Sequence, residues 1–150
     1  HADAGFARFF GKDFAGAMTA FNTVIEKDPE ARFINPWRVW TLLKLNKDTE
    51  ASTIAQASRQ KTDEQKDWVD FVILFHVGDM TASDLLNKID RSNTEIRTAQ
   101  LCEARFFIAE HQLKNGQTQD AGTSYQQALQ TNKRQLSAWR GASYALQRFQ

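Results

Sequence analysis

The chain has 150 residues, 41% of them apolar and 25% charged, with 19 basic side chains against 18 acidic ones. That length suffices for one ordinary domain with a sizeable core, and the near-zero net charge argues against nucleic acid, which calls for a concentrated basic surface. A single cysteine, Cys102, excludes an internal disulfide framework, and no apolar run is long enough to span a bilayer.

The chain begins at His1 with neither a methionine nor a signal peptide, which points to a processed or truncated product. Apolar residues then recur at three- and four-residue steps, the period of amphipathic helices. Phe14, Ala17, Met18, Phe21 and Ile25 form the first clear stripe. Asp28-Pro29 closes it, because proline removes a backbone donor and restricts the residue before it. Asn35-Pro36 opens the next helix as an N-cap with proline in the first turn. Thr62 followed by Gln65 suits a capping box ahead of the stripe Trp68, Phe71, Val72 and Phe75, and Gly78 suits a left-handed C-cap. Ala99, Cys102, Phe106, Ala109 and Leu113 line one side of a long helix, with Leu101, Ala104 and Ile108 on a second side and Gly116 as its C-cap. A helix apolar on two sides must be covered twice. The pattern predicts an all-α single domain, 1–150, of nine helices near 2–10, 13–27, 36–45, 48–60, 63–77, 82–90, 94–114, 118–131 and 135–149. Their short connections make sequence neighbours antiparallel neighbours in space.

Sliding the chain against itself exposes a repeat. Ala17 and Ala51 each follow a short polar turn, Gly11-Lys12-Asp13 and Asn46-Lys47-Asp48, and Ala121 follows Gly116 in the same way. An aromatic one turn on, Phe21 or Tyr125, fills the gap that the small residue leaves between two helices. Packing, not chemistry, sets that spacing. Between Gln60 and Asn93 the pattern departs: Ser83 or Leu85 stands for the alanine, and Lys133 later replaces the usual proline.

These positions resemble the tetratricopeptide family, with Trp139 at its early first-helix tryptophan and Gly5 at its small first-helix position. The resemblance implies an α-solenoid of about four helical hairpins plus a C-terminal helix, with the N-terminal helix truncated. The runs NPWRVWTLLKLNKD, DWVDFVILFHVGDMTASDLL and CEARFFIAEHQLKNGQTQDAGTSYQQAL are similar to the bacterial NlpI-type tetratricopeptide lipoproteins, with Phe75-His76-Val77-Gly78 as their intervening turn. That subgroup implies a periplasmic or cell-envelope adaptor, often a homodimer. No lipid-accepting cysteine is present to support an anchor, and a cytoplasmic location fits the composition as well.

Catalytic signals are absent from the sequence. His1, His76 and His111 form no metal-ligand spacing, Cys102 lies on a packing stripe, and there is no nucleophile elbow, phosphate loop or dinucleotide fingerprint. No cofactor or metal is expected. In stacked helix pairs the first helices line a groove. The repeat places Phe6, Phe9 and Phe10 there from the first copy, Trp37, Trp40 and Lys44 from the second, and Phe106, Glu110 and Lys114 from the last full copy. Arg140, Tyr144 and Arg148 come from the terminal helix. Phe9, Phe10 and Phe106 are read as core; Trp40, Lys44, Arg140 and Tyr144 are expected to be exposed. Because Phe6, Trp40, Glu110 and Tyr144 are not amides, the surface is expected to take an apolar or extended segment rather than a terminal carboxylate. The sequence reading is therefore a non-enzymatic adaptor for a protein or peptide, or for a second copy of itself. The alternative is a helical accessory part of a larger enzyme whose catalytic portion lies elsewhere.

Overall fold

The computed structural model describes residues 2–149, and every regular element among them is helical. The chain packs as two compact units that divide between Thr81 and Ala82. The first holds α1 (Ala2–Phe10), α2 (Phe14–Lys27), α3 (Asn35–Lys44), α4 (Asp48–Arg59) and α5 (Trp68–His76), with 3-10 turns at Arg32–Ile34 and Asp63–Gln65. The second holds α6 (Ala82–Asn87), α7 (Thr94–Lys114), α8 (Thr118–Gln130) and α9 (Ser137–Gln147).

Helices α1, α3, α5 and α7 end alike, because each meets a residue that turns left-handed. These are Lys12 (φ 67°), Asn46 (φ 60°), Gly78 (φ 88°) and Gly116 (φ 82°). At each end the next amide reaches back to the carbonyl five residues earlier: Asp13 to Arg8 at 2.8 Å, Lys47 to Leu42 at 2.9 Å, Asp79 to Leu74 at 2.9 Å and Gln117 to Gln112 at 2.8 Å. This double closure satisfies carbonyls that a helix end otherwise leaves open. Lysine has no means of relieving the clash between its Cβ and the carbonyl at positive φ, whereas glycine has none to relieve. Lys12 is exposed, so its side chain contributes no packing. Lys12→Gly is expected to raise the unfolding free energy by about 0.5–1 kcal/mol, read from the urea midpoint.

The turn sets up the close approach that follows. Four residues beyond Asp13, Lys47 and Gln117 stand Ala17, Ala51 and Ala121, each with no exposed surface. In the first hairpin a Cβ on Gly5 would lie 2.4 Å from Cε1 of Phe21, so the glycine is what lets that buried ring seat against α1. Phe21 has its edge toward Phe6 (5.3 Å), and Phe6 in turn meets Trp37 (4.8 Å), which joins α1 and α2 to α3. The repeat-equivalent position of Phe21 in α4 is Ala55, and there the α3 residue corresponding to Gly5 is the larger Val39, in the same buried cluster with Leu42, Ala51 and Ile73. Ala109 and Tyr125 hold the two places in α7 and α8, both fully buried. Volume is thus traded across the hairpin, as close-packed interiors require.

Three sequence expectations are corrected. Thr62 does bond to Gln65, but the pair closes a 3-10 turn, because Lys66 and Asp67 are extended; α5 begins with a separate box between Asp67 and Asp70. Asn35 is not an N-cap: the preceding 3-10 turn carries the chain into α3, and Asn35 is already helical, its side chain accepting from Arg38 Nη1 at 3.0 Å. The helix expected over 82–90 stops at Asn87, and Leu85 rather than Ser83 is its buried residue.

A carboxylate holds the far end of the first unit. Asp70 is buried and accepts from Ser58 Oγ (2.7 Å), Lys61 Nζ (2.9 Å), Arg32 Nη2 (3.2 Å) and the Asp67 amide (2.9 Å). A buried charge is tolerable only with such compensation. Burial pushes the neighbouring Asp67 carboxyl up, but its bonds from Arg32 and the Asp70 amide prevail and hold it at about 2. Asp67 therefore adds stability that is complete above the unfolded carboxylate range of about 4 and is lost as the pH falls toward 2. An acid titration followed by circular dichroism should show Asp67→Asn with a shallower loss over that window than the native chain.

Candidate interaction surface

Of the twelve residues placed toward a groove, the nine not read as core separate by burial. Phe6, Trp37, Trp40 and Glu110 are buried, Lys44 is half-buried, and Lys114, Arg140, Tyr144 and Arg148 are exposed. For Phe6, Trp37, Trp40 and Glu110 this corrects any expectation of an accessible side chain.

The reason is clearest at Trp40, only 1% exposed. Helix α5 packs against α3 and lays the His76 ring parallel to the indole, with centroids 5.3 Å apart and planes at 17°. On the solvent side the Lys44 ammonium stands 5.4 Å from the Trp40 ring and 5.7 Å from Phe14, a cation–π arrangement. Phe6 and Trp37 are taken up by the aromatic cluster of the first unit. Phe9 and Phe106 are buried, as expected of core residues, whereas Phe10 is only half-buried.

Glu110 is engaged inside the second unit. It is 7% exposed and accepts a hydrogen bond from the Tyr125 hydroxyl, while Ser124 donates to Gln112 nearby (2.7 Å). Burial pushes the Tyr125 phenol up, and the charge and hydrogen bond of Glu110 push it further the same way. In repeat terms Glu110 occupies the place of Phe6 and Tyr125 that of Phe21. A ring-to-ring contact in one hairpin is a phenol-to-carboxylate contact in the other.

The accessible members gather on the second unit. On α9, Ala138, Gly141 and Ala142 face inward, toward α7 and α8. Arg140 and Tyr144 lie one turn apart on the other side, while Arg148 caps the helix end and borders a concavity over α8. Tyr144 is 50% exposed. Trp139, beside them, is fixed by its own bond to the Leu129 carbonyl (3.0 Å) and by the Arg134 guanidinium 5.4 Å from its ring.

Three exposed apolar residues carry no signal in the sequence pattern, Phe33 at 54%, Ile96 at 46% and Phe149 at 39%. Phe33 sits on a 3-10 turn, where no helical period marks a face, and Ile96 lies on the first turn of α7. Open concavities lie over α4, at Thr49, Ser52, Thr53 and Gln56, and over α8, at Thr118, Gln119 and Gly122 beside Arg148 and Phe149. Among the described residues no His, Cys, Asp and Glu cluster is arranged to hold a metal, and no helix is long and apolar enough to cross a membrane. Cys102 is fully buried, and burial pushes its thiol up to about 11. No family model matches the chain, and no curated protein matches it in sequence.

Proposed function

We propose that the chain is a non-enzymatic protein–protein interaction module built from tetratricopeptide-like hairpins. The observation that carries this reading is the recurrence of one hairpin plan: the same left-handed closure at Lys12, Asn46 and Gly116, each followed by a fully buried alanine. Repeated hairpins of this kind place polar and aromatic side chains on fixed helix faces, and rigid presentation lowers the entropy that binding must overcome. On this reading the contact residues are the exposed members of the set, Lys114, Arg140, Tyr144 and Arg148, together with Lys44. The buried ones support them.

The test is site-specific photo-crosslinking in the native host. A benzophenone amino acid replaces Lys114 or Tyr144, and, as a control on an exposed polar face, Gln56. Discrete protein adducts at Lys114 and Tyr144 and none at Gln56 are expected. Adducts at none of the three, or turnover of a small-molecule substrate by the purified chain, would remove the reading.

A further inference from the structure

The charges along the chain are unevenly distributed. Residues 121–150 contain Lys133, Arg134, Arg140 and Arg148 and not one Asp or Glu. Two of these cations are used within the fold: Lys133 pairs with Glu95, and Arg134 lies over Trp139. Arg140 differs. It is exposed, its guanidinium donates to the Ser137 hydroxyl (3.1 Å), and it makes no ion pair among the described residues. One turn further along the same face stands Tyr144, half of its surface in solvent; Arg148 follows the helix as its C-cap and borders the concavity over α8. Helix α9 thus presents a guanidinium and, one turn on, an aromatic ring, with no carboxylate of its own to compete for the cation.

We infer that this face is a docking site for an acidic peptide segment of a partner protein, one that alternates carboxylate and apolar side chains. The inference rests on the interaction reading above and names the partner's chemistry. Charge complementarity selects the carboxylates: the planar fork of Arg140 matches a carboxylate through two parallel hydrogen bonds. The Tyr144 ring supplies the apolar contact, large in area and low in rotamer entropy. A side-chain carboxylate satisfies this geometry at any point along an extended segment. A chain terminus is not required.

The probe is a short fluorescein-labelled peptide of alternating glutamate and leucine, followed by fluorescence anisotropy with the full chain. Glutamine-for-glutamate and lysine-for-glutamate versions and a single-stranded oligonucleotide serve as comparisons. The glutamate peptide should bind, and its affinity should fall as salt is raised, since exposed charges are screened. Arg140→Ala/Tyr144→Ala should weaken it by about tenfold or more. Both residues are exposed, so an unchanged circular dichroism spectrum is expected for the variant. Equal binding of the glutamine or lysine version, tighter binding of the oligonucleotide, or no weakening in the variant overturns the inference. If that happens while crosslinks at Tyr144 persist, only the acidic class of partner falls. If the crosslinks are absent as well, the interaction reading falls with it.

Discussion

Replacing Trp40 with alanine should lower the unfolding free energy by about 3–5 kcal/mol, the range for deleting a large aromatic side chain from a core. The indole is buried between the His76 ring and the Lys44 side chain, and its removal leaves a void that α3 and α5 cannot close without moving. Urea unfolding followed by circular dichroism measures the loss directly. An exposed recognition residue behaves otherwise, since surface changes fall within about 0.5 kcal/mol. A loss that small at Trp40 would put the ring back on the surface and reinstate it as an anchor. Trp40→Phe keeps an aromatic ring against His76 and should lose less than the alanine variant.

The second large effect is expected at Tyr125. Tyr125→Phe keeps the ring that packs against Phe106 and Phe149 but deletes the hydroxyl that donates to Glu110. The carboxylate is then left in its buried site without that bond, and losing a hydrogen bond to a buried charge costs about 2–3 kcal/mol. Glu110→Leu in the same background removes the charge as well, and the double variant should recover most of the loss. The two sites are in contact, so the changes will not add. Recovery would show that the phenol and carboxylate act as one device. Equal losses in the single and double variants would show instead that the Tyr125 hydroxyl matters through something other than Glu110. The first hairpin supplies a natural comparison, because Phe6 and Phe21 hold the same places with no polar group at all.

The helices and their turns were largely legible in the sequence because their causes are local. Gly78 and Gly116 announce left-handed ends, Asp28-Pro29 announces a stop, and the alanines at 17, 51 and 121 mark close helix approach. Lys12 and Asn46 take the same conformation without being glycine; asparagine is enriched there, but for Lys12 only its place in the repeat points to it. What the sequence could not convey was which wall covers a given face. Trp40 and Lys44 look alike from the period, since both lie on the first-helix face of a hairpin. Whether that face is open depends on α5, whose residues 72–76 are all buried and so carry no periodic sign of their own orientation. Glu110 misled for a related reason. A glutamate inside an apolar stripe reads as an exposed polar residue until its partner, fifteen residues away on the next helix, is seen to donate to it. The site of Asp70 was not legible because its partners come from separate segments, at Arg32, Ser58, Lys61 and the start of α5.

The burial of Cys102 makes the second unit its own reporter. A thiol held near 11 and sealed on every side cannot exchange with an oxidant or an alkylating reagent until α7 parts from its neighbours. Since the sequence contains no other sulfhydryl, the rate at which a chromogenic disulfide consumes the group measures how often residues 82–150 breathe open, with no label to introduce. That clock would tick faster in Tyr125→Phe and keep its native pace in Trp40→Ala if the two compact units open independently.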